Sequence, residues 1–124
     1  MAKVGIIGGG AAGMFAAVQA AGYGHEVHLY EQNEKLGKKL FITGKGRCNF
    51  TNACPAEEFF QNIVSNAKFM YSSGYGYTSQ DIMAFFEQHR VPVKVERGNR
   101  AFPASDHSSD IIRGLERALK EAGV

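Results

Sequence analysis

The N-terminal stretch up to Glu31 constrains the fold more tightly than any other part of the chain. An apolar run from Ala2 to Ile7 leads directly into Gly8-Gly9-Gly10-Ala11-Ala12-Gly13. Small apolar residues follow, with Met14, Ala16, Ala17, Val18, Ala20 and Ala21 closing at Gly22. The first run predicts a short buried strand and the small-residue stretch a helix. Glu26 to Tyr30 predicts a second strand with Val27 and Leu29 on one face, ending at Glu31. The glycines fit GxGxxG, and Glu31 stands 18 positions after Gly13. GxGxxG by itself is weak evidence. A strand before it, a helix after it and a second strand ending in an acid are the context that a dinucleotide-binding motif requires.

Each position has a physical task in such a motif. Gly8 permits the tight turn out of the first strand, Gly10 lets a pyrophosphate approach the backbone, and Gly13 lets the helix pack against the sheet. The helix N-terminus offers unpaired N–H groups and the positive end of its dipole to phosphates. Glu31 can accept both hydroxyls of an adenosine ribose. Its charge would repel a 2'-phosphate, which disfavours NADP at this half-site. A loop that merely turned the chain would not need Glu31 in register.

Val4 to Gly24 lacks a charged side chain, but its four central glycines, Gly8, Gly9, Gly10 and Gly13, argue against a membrane span. Each would cost an apolar helix roughly 1 kcal/mol relative to Ala. The net charge of +2 is too small to argue for a nucleic-acid partner. Cys48 and Cys54 have neither redox-pair nor zinc spacing, and His25, His28, His89 and His107 show no metal-ligating pattern. These features fit a reducing cytoplasm and no metal. From Lys35 to Arg47 the chain carries five basic residues and no acid. Gly44-Lys45-Gly46 is not a P-loop, since neither Ser nor Thr follows Lys45. Flexible glycines among Lys and Arg suit an extended anion, which Arg47 could grip in bidentate fashion; a solvated basic loop is the bland alternative. At this point FAD and NAD remain equally open.

"VGIIGGGAAGMFAA" followed by "YEQNEKLGKKLFITGKGRCNFTN" resembles the N-terminus of the BaiN-like or YhiN-type FAD-dependent oxidoreductases, also called aminoacetone oxidase family FAD-binding enzymes. The likeness continues through "FFEQHRVPVKVERGNRAFPASDHSSDIIRGLERALKEAGV". The resemblance, not the spacing, implies FAD. It implies that Gly8, Gly10, Ala11, Ala12 and Gly13 form the phosphate turn and that Glu31 holds the ribose. Lys38, Lys39, Gly46, Arg47, Cys48 and Asn49 would lie along the cofactor. Lys45 departs from the Gly of many relatives, adding a cation beside an anion. NAD(P)H is a candidate electron donor for the intact protein, with a small molecule as substrate and no nucleic-acid or membrane partner.

The expected fold is α/β, an incomplete Rossmann-like FAD-binding domain over residues 1–124. Residues 1–54 form the βαβ half and basic glycine loop, and residues 55–124 form helices and a hairpin. Pro55 predicts a helix carrying Phe59, Phe60, Ile63, Val64 and Ala67. Tyr71 to Thr78 reads as a loop. Thr78 and Asp81 have capping-box spacing ahead of Ile82, Phe85, Phe86 and His89. Val91, Val93 and Val95 alternate with polar residues before a Gly98-Asn99 turn flanked by Arg97 and Arg100, an exposed and detached hairpin with Pro92 marking an edge strand. Ser108 is the expected cap of a helix with Ile111, Leu115, Ala118 and Ala122 on one face. A helix ending near Gly123-Val124 resembles one about to hand over to a third parallel strand, and the family's members run longer, so an N-terminal fragment is expected. Two functions fit: part of an FAD-dependent oxidoreductase, inactive alone, or a non-catalytic dinucleotide-binding or partner-docking module. The substrate, the catalytic residues and the oligomeric state are not legible.

Overall fold

A computed structural model describes residues Met1–Val124. β1 (Lys3–Ile7) and β2 (Glu26–Tyr30) pair in parallel, with Val4 opposite Val27 and Ile6 opposite Leu29. α1 (Ala11–Gly22) connects them, and its Met14 and Ala17 are fully buried. Val27 is buried and Val4, Ile6 and Leu29 pack against the core. The first strand is buried on one face only, contrary to expectation. Ile7 is 84% and Tyr30 56% exposed on the uncovered face. Two strands offer two faces, and the core lies behind one of them.

Beyond β2 come α2 (Lys38–Phe41), a 3-10 turn over Thr43–Gly46, and β3 (Thr51–Asn52). Then follow α3 (Ala56–Gln61), α4 (Tyr71–Gly76), α5 (Ser79–Gln88), β4 (Val93–Glu96), β5 (Arg100–Pro103) and α6 (Ser108–Glu121). β3, β5 and β4 form a three-stranded antiparallel sheet in that order, which leaves β4 at the edge as Pro92 suggested. β3 has no sequence pattern of its own. It exists because Thr51 pairs with Ala101 and Asn52 with Arg100, nearly fifty residues away in sequence.

Several local expectations need correction. The helix after Pro55 stops at Gln61, Val64 is fully exposed, and Asn66 takes a left-handed conformation (φ 59°). Tyr71–Gly76 is helical rather than a loop. Its two glycines oppose a helix, but Tyr71 and Tyr75 lie one turn apart and both rings pack on Phe60, at 4.7 and 4.8 Å between centroids. Ser108 does not cap α6. It is the first helical residue, is buried, and donates its hydroxyl to the Phe41 carbonyl at 2.6 Å, while His107 occupies the cap position. Ala122 is exposed and Leu119 is buried in its place. The capping box is formed: Asp81 N–H donates to Thr78 Oγ1 and Thr78 N–H to Asp81 Oδ2.

The hairpin lies in a sheet of its own, detached from the parallel pair as expected, yet it packs on the same core through Val93. One cluster of eleven buried residues joins Met14, Ala17 and Val27 of the βαβ unit to Phe86, Val91 and the inner face of α6. Gly114 lets α6 pack closely on Val91, because a Cβ there would lie 2.6 Å from Val91 Cγ2. Replacing a mid-helix glycine by alanine ordinarily stabilises a helix by up to about 1 kcal/mol. Gly114→Ala is instead expected to destabilise the chain by roughly 1 kcal/mol net, since overpacking a core outweighs propensity. Urea unfolding checks this, and a variant as stable as the parent would contradict it.

Candidate dinucleotide site

The glycine turn is fastened to the end of β2 by hydrogen bonds. Gly8 N–H donates to the Tyr30 carbonyl (2.7 Å), Gly9 N–H to Glu31 Oε1 (2.8 Å) and Gly37 N–H to the Gly9 carbonyl (2.8 Å). Gly8 has φ +103°, a conformation that side chains resist. A Cβ at Gly13 would overlap the carbonyl oxygen of Gly8, so the helix can enter this closely only at glycine. Gly9 had no assigned task from the sequence. A Cβ there would overlap Leu36 Cδ2, the end of a flexible side chain, and come within 3.1 Å of Glu31 Cβ, so the middle residue of the turn is crowded, though less rigidly than Gly13 is by the Gly8 backbone.

Gly10 differs from these three. A Cβ built on it meets no protein atom within 4 Å, so the space before its backbone is open and a side chain would fill it. Gly10 caps α1 without any side-chain bond, and no acid occupies the first turn. The N–H groups of Gly10, Ala11, Ala12 and Gly13 bond to no other group of the chain. Four unpaired donors around an open cradle fit the phosphates of a dinucleotide.

Glu31 is held in place rather than left loose. Its Oε2 accepts from Asn33 N–H (2.7 Å) and Asn33 Nδ2 (2.9 Å), and its Oε1 from Gly9. The Asn33 backbone bond, followed by the Gly9 bond, holds the carboxyl below its usual range, so it stays ionised at neutral pH. Asn33 is a positioning residue that no sequence signal announced.

The other expected site residues are distributed among three places. Ala11, Ala12, Cys48 and Asn49 line one cavity of about 360 Å³ at the start of α1, together with Phe15, Phe50 and Phe86. Burial pushes the Cys48 thiol above its ordinary value, which disfavours the thiolate there. Asn49 donates through Nδ2 to the carbonyls of Thr51 and Ala101, which fastens the loop to β5. Lys38 lines a second cavity of about 770 Å³ between residues 33–41 and α6, with Leu36, Phe41 and Arg113. Lys39 is exposed on α2, and Gly46 has φ +85°. Lys45 sits at φ 55°, ψ 40°, a left-handed position that explains why glycine suits it better.

Arg47 was expected to present both prongs of its guanidinium to an anion. Instead its Nε donates to Asp106 Oδ1 (2.8 Å) and a terminal nitrogen to Glu96 Oε2 (2.6 Å), with the guanidinium 3.9 Å over the Phe102 ring. Lys94 joins the cluster through Asp106 (2.7 Å) and Glu96 (3.1 Å). These bonds lower the carboxyl pKa values of Glu96 and Asp106. Arg97 and Arg100 are exposed, and Arg100 Nε donates to the Arg97 carbonyl.

No group of His, Cys, Asp and Glu is placed to hold a metal, and no helix is long and apolar enough to cross a membrane. Because the folded carboxyl of Glu31 is depressed, its contribution to stability is present above the ordinary value of 4.5 and is lost as pH falls through the folded value. Glu31→Gln is expected to be less stable than the parent at neutral pH. The gap should narrow as pH drops below 4.5 in chemical unfolding at matched ionic strength. A gap independent of pH would show that the ionised form is not what the turn holds.

A family model described as the HI0933-like protein Rossmann domain matches residues 2–124. The chain is 36% identical over 134 residues to the 3-dehydro-bile acid delta(4,6)-reductase of Clostridium scindens, an alignment covering all of this chain and 30% of the reductase. It is also 36% identical over 88 residues to the ribosomal RNA dihydrouridine synthase of Haemophilus influenzae, covering 69% of this chain and 21% of that protein. Against the NADH oxidase of Thermoanaerobacter brockii it is 55% identical over 40 residues, or 32% of this chain and 6% of the oxidase. The chain thus spans less than a third of the length of these relatives.

Proposed function

The chain belongs to the HI0933-like Rossmann-domain family, the BaiN/YhiN-type FAD-dependent oxidoreductases that its motifs resemble, and from this membership we propose that it binds the ADP portion of FAD as the N-terminal part of such an enzyme. The observation that carries the reading is the open cradle at Gly10 beside four unpaired N–H groups. The diphosphate would accept hydrogen bonds from that helix end, and Lys38 and Lys39 would add positive charge from α2. Glu31, kept ionised by Asn33 and Gly9, would accept the ribose hydroxyls and repel a 2'-phosphate. Bound FAD would supply electron transfer between a reductant, with NAD(P)H as the candidate donor, and a small-molecule substrate. This chain's residues bind and orient; none of them is placed as an acid, base or nucleophile. Alone, the chain would bind without turning over.

A second reading, a non-catalytic dinucleotide-binding or partner-docking module, draws on the single core that unites the βαβ unit with the rest. Titration of FAD followed by flavin fluorescence and thermal unfolding tests the common premise. Gly10→Val is expected to fold as the parent does, because a Cβ there meets no protein atom within 4 Å, and to weaken FAD binding at least about tenfold, as Glu31→Ala also should. Undiminished binding by Gly10→Val would place the cofactor elsewhere. FAD reduction by NADH in the bound complex favours the oxidoreductase over the module.

A further inference from the structure

An ionised carboxylate offers about four lone-pair sites to hydrogen-bond donors. At Glu31 three of them are occupied within the chain. Gly9 N–H fills one on Oε1 at 2.8 Å, while Asn33 N–H at 2.7 Å and Asn33 Nδ2 at 2.9 Å fill both on Oε2. The site left over is on Oε1. A bare carboxylate could accept both hydroxyls of a ribose, but this one has room for a single further donor.

Two hydroxyls therefore need two acceptors, and a second acceptor stands beside the first. Asn33 Nδ2 is tied to Glu31 by a charge-assisted bond, which restrains the amide next to the carboxylate. Its carbonyl oxygen Oδ1 accepts from no group of the chain, and the second proton on Nδ2 donates to none. The side chain is exposed and lines the cavity of about 770 Å³ beside Leu36 and Phe41, so a ligand can reach it. A spare acceptor next to a spare donor complements a hydroxyl, which both gives and takes a hydrogen bond.

Positioning does not explain this side chain. The backbone N–H groups of Gly9 and Asn33 already hold one oxygen of the carboxylate each, and both bonds survive replacement of the Asn33 side chain by a methyl group. Orientation of the acid is the task of the backbone at position 33. The amide is left over for another task.

We propose that Asn33 reads the ribose directly: Glu31 accepts one hydroxyl of the adenosine through its free site on Oε1, and the Asn33 amide takes the other through Oδ1. The proposal rests on the FAD reading of the glycine turn, because it divides between two side chains what that reading gives to Glu31 alone. It makes Asn33 a specificity residue for the vicinal diol of the ligand.

The probes are ADP, 2'-deoxy-ADP and 3'-deoxy-ADP, titrated calorimetrically into the purified parent, Asn33→Ala and Glu31→Ala, with FAD as the reference ligand. In the parent, each missing hydroxyl is expected to weaken binding at least about threefold relative to ADP. Asn33→Ala should abolish one of these two penalties and keep the other, since Glu31 retains its backbone bonds. Glu31→Ala should abolish both, since the Asn33 amide then loses the anchor that aims it. Loss of both penalties in Asn33→Ala would show that the side chain acts only by orienting Glu31, and overturns the proposal. Retention of both in Asn33→Ala overturns it too, as does a parent that binds FAD and ADP without either penalty. In these three cases FAD binding by the parent leaves the FAD reading standing. Failure of the parent to bind FAD and ADP alike sinks that reading, and the proposal with it.

Discussion

The head of α1 can approach β1 only because Gly13 presents a hydrogen, not a methyl group, to the Gly8 carbonyl. The rest of the site depends on that approach. It sets the height of the helix over the sheet, which in turn buries Met14 and Ala17 in the common core and aims the unpaired N–H groups of residues 10–13 at open space. Gly9 completes the arrangement from the other side, wedged between Glu31 and Leu36 with its N–H in the carboxylate. Turn and acid are therefore one hydrogen-bonded unit. A ribose bound there, as proposed, would meet a carboxylate already oriented, at a reduced cost in side-chain entropy.

Charge is divided along the chain in a way that follows from this frame. Lys38 and Lys39 stand exposed next to the turn, while Arg47 is bound into a four-residue cluster with Lys94, Glu96 and Asp106. The members of that cluster are about one-third exposed, so water screens their attraction and their main effect is positional. They fasten the basic loop to β4 and to the turn before α6, as Asn49 fastens it to β5 and Ser108 fastens α2 to α6. The loop is shaped by these long-range ties more than by its own glycines.

Element type was legible wherever a local rule acted without competition. The parallel pair, α1 and the capping box at Thr78 follow from period, glycine placement and spacing. Errors gathered where aromatic packing decided the outcome. Tyr71 and Tyr75 close a helical turn over Phe60 in spite of two glycines, and the helix after Pro55 ends once its ring contacts are made. At the site, Glu31 and the outer glycines were readable because each has a fixed place in one motif. Gly9, Asn33 and the partners of Arg47 were not, because their roles exist only as contacts.

By itself the sequence determined the strand, turn, helix and strand of the dinucleotide motif, the acid at its end and the family resemblance, because these depend on neighbours a few residues away. Only the tertiary structure decided that β3 exists, that the hairpin shares the core of the βαβ unit, and that Arg47 faces Glu96 and Asp106 instead of the solvent side of its loop. The contacts of β3 and Arg47 join residues 48 to 59 positions apart, and their energy depends on which surfaces the whole chain brings together. No local window of the sequence contains that information.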